Sequence, residues 1–162
     1  CGSPGSFEGQ GSGLSLNVRD SVFIGRDSTG GLDGLILFMS DQSGLCDAFK
    51  AQRWPAGAYL GVVFQDRGST ADPRPGHYSV EMSGDKIAAA AFLDVDPVCG
   101  NTETLAFQSG SVTLDAYEAK PSGRMQGAFT LALAAGEDPA TGSFDAAFCD
   151  LPVDTWRVTS CQ

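Results

Sequence analysis

Hydrophobic and polar positions alternate with a period of two along most of this chain, the spacing expected of strands whose two faces meet different surroundings. The clearest case is Met125 to Leu133, where Met125, Gly127, Phe129, Leu131 and Leu133 share one face. Ser111 to Tyr117 precedes it, and Thr141 to Phe148 follows across the turn Gly136-Glu137-Asp138-Pro139. Earlier, Leu14 to Val18 alternates, Ser21 to Gly25 is short and apolar, and a Gly-rich turn at 27–34 leads into Leu35-Ile36-Leu37-Phe38-Met39. That unbroken apolar run predicts a strand covered on both faces. Ala58 to Phe64 predicts another. Asp72-Pro73-Arg74-Pro75-Gly76 turns the chain into a strand at His77 to Met82, and Ser83-Gly84-Asp85-Lys86 predicts a tight hairpin to Ile87 to Leu93. The alanines of this last segment suit a helix by propensity, but the hairpin and its neighbours favour a strand. Leu45 to Arg53 predicts a short helix, with Ser43 as N-cap and Pro55 beyond its end. The expected fold is all-β, an antiparallel β-sandwich or flattened barrel of about eight or nine strands with one short helix.

Composition divides the chain in two. Residues 1–13, CGSPGSFEGQGSG, have the Gly and Ser content of a flexible spacer, with Phe7 as their single aromatic, and residues 14–162 form the expected β-domain. The whole chain has 162 residues, 42% of them hydrophobic, which is enough for one domain with a core. Ten Lys and Arg against 20 Asp and Glu leave a formal net charge of −10. Nucleic acid is excluded as a partner, because that field repels a polyanion before any contact forms. The single histidine, His77, leaves little of the commonest acid–base and metal-binding side chain, and no GxSxG elbow supplies a nucleophile beside it. No stretch approaches the roughly 18 apolar residues of a spanning helix.

The first residues carry the strongest hint of location. Cys1-Gly2-Ser3-Pro4-Gly5-Ser6 resembles the mature start of a bacterial lipoprotein, in which the first Cys carries diacylglycerol on sulfur and usually an acyl chain on its amine. The pattern Gly127-x-Phe129-x-Leu131, then Thr141-Gly142-x-Phe144-x-Ala146 and Cys149, also resembles small bacterial lipoproteins over the last third of the chain. The resemblance implies a lipid on Cys1, no other cofactor, and a β-fold at the periplasmic face of a bacterial membrane. It implies no activity.

With Cys1 assigned to lipid, Cys46, Cys99, Cys149 and Cys161 remain, an even number that suits two disulfides in an oxidising compartment. None belongs to a CxxC pair, so metal is not expected. If every strand after Leu35 to Met39 reverses direction in a meander, Cys46 and Cys149 fall at one end of the sheet and Cys99 and Cys161 at the other. The predicted bridges are therefore Cys46–Cys149 and Cys99–Cys161. Carboxylates between Asp94 and Glu103 faintly resemble a calcium loop, but Pro97 interrupts it and its glycine is misplaced, so polar turns are the expectation.

Phe7 in the spacer and Trp54 beyond the helix are the aromatics expected to contact a partner or the membrane. Together these features predict a protein that is not an enzyme. It is expected to be a lipid-anchored accessory subunit, held to the bilayer by Cys1, that packs on the periplasmic side of an integral membrane protein complex of photosynthetic, respiratory or envelope type and stabilises it. The alternative is a free lipoprotein serving as a binding module for a carbohydrate or hydrophobic ligand.

Overall fold

A computed structural model describes residues 3–9, 12–25, 35–69, 73–97 and 103–151, together with the backbone of 160–161. Its strands are β1 (Gly5–Glu8), β2 (Asp20–Ile24), β3 (Leu35–Ser40), β4 (Arg53–Trp54), β5 (Gly57–Asp66), β6 (Gly76–Ser79), β7 (Lys86–Val95), β8 (Glu103–Ala106), β9 (Ser109–Tyr117), β10 (Arg124–Ala132), β11 (Ala140–Phe148) and β12 (Ser160–Cys161). One helix, α1 (Leu45–Lys50), lies between β3 and β4. The fold is all-β: eight strands pair in the order β11-β10-β9-β6-β7-β5-β3-β2, and β2 returns to β11 to close a barrel.

Closure rests on two shared edges. The edge of β11 is taken by β1 along 141–144 and by β2 at 147–148. The edge of β7 is divided in the same way between β6, which bridges at Ile87, and β8, which pairs along 91–94. Most pairs are antiparallel. The exceptions in the barrel are β2 with β11 and β6 with β7.

The β6–β7 pairing corrects two expectations. Ser79 pairs with Ile87 in parallel, so the chain loops back through 80–85 and no antiparallel hairpin joins these strands. The antiparallel partner of β6 is β9, through Gly76–Leu114 to Ser79–Ser111. Two successive strands thus run the same way, and the strict meander from which the cysteine pairing was predicted does not exist. Cys46 is nevertheless bonded to Cys149, with Cα atoms 5.5 Å apart. The helix rather than strand parity brings them together: α1 lies on the outer face of the barrel, where Cys149 follows β11 and its amide bonds the Phe23 carbonyl.

The pleat sorts side chains into two cores. Leu35, Leu37 and Met39 of β3, Leu60, Val62 and Phe64 of β5, and Phe129 and Leu131 of β10 belong to the cluster that fills the barrel. Ile36 and Phe38 point the other way. They join Val22, Ile24, Leu45, Phe49, Tyr59, Val95, Cys149 and Leu151 in an outer core beneath α1. This explains why all six residues of β3 are buried, as its apolar run predicts.

Two smaller expectations shift. Leu14 to Val18 forms no ladder; Leu16 is buried in the barrel core and Leu14 and Val18 lean on it. Helix α1 starts at a left-handed Gly44 (φ 74°) with no side-chain cap from Ser43. The first helical amide, that of Leu45, donates instead to the Asp20 carboxylate at 2.9 Å, a tertiary cap supplied by β2.

Candidate functional site

Among the described residues, side chains pack the interior of the barrel. Phe23, Phe64, Tyr78, Leu114, Met125 and Phe144 lie buried in one continuous cluster, and the Phe64 ring meets Tyr78 edge-on at 5.2 Å. Glycine makes part of this packing possible. In the β10–β11 register Gly127 lies directly opposite Phe144, and Phe129 directly opposite Gly142. Each phenyl ring covers the glycine across from it, so that a Cβ at either glycine would run into that ring and a strand carbonyl. The Gly-x-Phe repeat quoted above is thus a reciprocal packing device.

The residues expected to meet a partner are engaged with their own chain. Phe7 sits on β1 inside the stretch expected to be a spacer, half-buried, with its ring 5.9 Å from those of Phe92 and Phe129. Trp54 is also half-buried, 5.4 Å from Phe38, 5.1 Å from Phe49 and 5.0 Å from Tyr59, and so forms a wall of the outer core. Burial pushes the Tyr59 hydroxyl up to about 12, and that hydroxyl donates to the Pro55 carbonyl. Cys1 and Cys99, and with them the bridge Cys99–Cys161, lie outside the described residues; the backbone of Cys161 pairs with Trp54 through β12 and β4.

One polar network stands at the loop after β5. The Asp66 side chain is fully buried and accepts from Arg74 Nε at 2.9 Å, from a second Arg74 guanidinium nitrogen at 3.2 Å, and from the Gly68 amide at 3.1 Å. The hydrogen bonds from the Arg74 guanidinium hold its carboxyl down at about 2, below the usual value of 3.8. The Tyr78 hydroxyl donates to the Arg74 carbonyl, and burial raises its ionisation above the ordinary tyrosine range. The Lys86 ammonium lies 5.6 Å from the centre of the same ring. The Lys86 ammonium also donates to the Pro75 carbonyl at 2.6 Å, so these contacts latch Arg74 and Pro75 to the barrel. His77 is exposed, its Nδ1 3.4 Å from Thr113 Oγ1.

At the opposite end of β7 the surface is concave. A groove of about 310 Å³ is lined by Leu14, Ala58, Phe92, Asp94, Glu103 and Leu105 with the backbone around them. Its geometry follows from register. Leu60, Phe92 and Leu105 occupy one row across β5, β7 and β8, and Ala58, Asp94 and Glu103 occupy the row two residues on, on the same face of the sheet. The inward face of the barrel thus continues past its apolar filling into two carboxylates directly opposite one another. Residues 13–15 also border a second hollow, of about 540 Å³, lined by residues that include Phe7, Glu8 and Leu16. No basic side chain among the described residues lines either one. Sequence reasoning treated Asp94 and Glu103 as turn acids. The signal available in the chain was the two-residue spacing of Asp94 from the inward Phe92.

Among the described residues no three His, Cys, Asp or Glu side chains converge to hold a metal ion, and no helix is long and apolar enough to cross a membrane. Comparison with protein-family models, with curated proteins and with solved structures found no match.

Proposed function

We propose that this chain is a non-catalytic accessory subunit, anchored through a lipid on Cys1, that packs against a membrane protein complex on the periplasmic side and stabilises it. The observation that carries the reading is the packed barrel interior. Among the described residues, side chains occupy the space in which a lipocalin-like protein would hold a ligand, which favours recognition at the outer surface and the barrel end. Two further features support it. The Cys46–Cys149 bridge, which spans 103 residues of sequence, suits an oxidising compartment outside the cytoplasm. Strand β1 begins at Gly5 and is sewn to β11, so only three residues lie between Cys1 and the first residue of the folded body. A lipid there would hold the barrel within ~14 Å of the headgroups even with those residues fully extended.

The test is extraction of native membranes in mild detergent followed by sizing, with mass spectrometry of the N-terminal peptide. The chain is expected to migrate with a larger assembly and to carry diacylglycerol on Cys1. Migration as a free monomer would remove the subunit, and an unmodified Cys1 thiol would remove the anchor.

A further inference from the structure

We propose that the groove at the β5–β7–β8 end of the barrel receives a basic side chain, a Lys or Arg flanked by apolar residues on an extended segment of a partner protein. This rests on the reading of the chain as a subunit and names the chemistry of the partner it fits.

Three observations converge on that occupant. The first is charge. Asp94 and Glu103 face each other across an antiparallel pair, an arrangement in which like charges repel, and no cation among the described residues lines the groove to relieve them. The second is the apolar lining: Phe92, Ala58, Leu14 and Leu105 are apolar, and Leu105 is one of two large apolar side chains left exposed among the described residues. A carboxylate pair beside an apolar row matches an ammonium or guanidinium on a hydrocarbon stem. The third is the edge. All four residues of β8 are exposed, and among the described strands β8 pairs with β7 alone. An extended segment can lie along that edge with its backbone paired while its basic side chain enters the groove. This favours a protein segment over a free amine. A volume of about 310 Å³ sits at the small end of ligand sites, which run from ~300 to 1,000 Å³. An anionic lipid surface is disfavoured by the same carboxylates and by the net charge of −10.

The test is an amide NMR titration of the full, oxidised chain with acetyl-Leu-Lys-Leu-amide. The matching Leu-Gln-Leu peptide and hexylammonium serve as controls. The Lys peptide is expected to shift amides at 13–15, 58, 92–94 and 103–105, to bind about tenfold more tightly than the Gln peptide, and to weaken as salt is raised. The double variant Asp94→Asn/Glu103→Gln removes the like-charge contact, so its thermal midpoint should equal or exceed that of the parent while Lys-peptide binding falls about tenfold. Equal binding of the Lys and Gln peptides, shifts elsewhere on the barrel, or an unchanged affinity in the folded double variant overturns the proposal. Hexylammonium binding more tightly than the peptide overturns the protein segment in favour of a small amine. If the double variant still migrates with a larger assembly from native membranes, this groove is not the docking site, while the subunit reading stands.

Discussion

At the scale of single residues, the firmest structural statements concern positions where one side chain depends on the absence of another. Gly127 and Gly142 are such positions, because Phe144 and Phe129 occupy the space above them. Gly127→Ala and Gly142→Ala are each expected to destabilise the fold by about 3 kcal/mol or more, the upper end of overpacking costs, because a Cβ would also run into a backbone carbonyl, that of Thr113 or of Ser6, which cannot swing away. Trimming the facing ring should recover part of it: Gly127→Ala combined with Phe144→Leu should lie closer to the parent in urea denaturation than the sum of the two single changes. Strict additivity would mean that the ring and the glycine do not share the space. Asp66 makes a prediction in pH. Its folded-state ionisation lies at about 2, below the usual 3.8, so the unfolded chain takes up this proton first as acid is added. The stability it contributes is whole above pH ~4 and is lost as pH falls toward 2. Asp66→Asn should flatten that part of the acid-denaturation profile, and an unchanged profile would detach the carboxylate from the latch.

At the scale of elements, the periodicity of the chain was a good guide to existence and a poor one to connection. Strands β3, β5, β10 and β11 stand where alternation or an unbroken apolar run predicts them, because burial of one face or both is written locally. What could not be read is set by distant partners. The parallel meeting of β6 and β7 depends on β9 arriving between β6 and β10, and the helix cap depends on Asp20, 25 residues before Leu45. The groove was hidden for the same reason: Asp94 and Glu103 are on one face only because β8 folds back on β7. The bridge Cys46–Cys149 was foreseen from a meander that the fold does not follow, so agreement on the pair does not validate the premise. That bridge fastens α1 to the barrel. Its removal in Cys46→Ala/Cys149→Ala is expected to cost about 4 kcal/mol by the loop-entropy argument. Because Trp54 packs on Phe49 of that helix, tryptophan emission should shift to the red well before global unfolding. Coincident loss of emission and far-UV signal would show that α1 has no independent freedom.

At the scale of the whole molecule, the described side chains pack the barrel interior and the chain carries an excess of acid. On the proposed reading, a charge of −10 would keep the free surface off anionic headgroups and leave docking to the proposed anchor and to a basic surface on the partner. The groove concentrates that character at one end, and Met82, 57% exposed in the 80–85 loop before β7, marks the other end. In-cell photo-crosslinking from these two positions decides whether the groove end meets a partner. A photoreactive residue replacing Leu105 is predicted to give one discrete adduct with a membrane-complex protein, and the same residue replacing Met82 is predicted to give none. Uncrosslinked monomer from both positions would contradict the account.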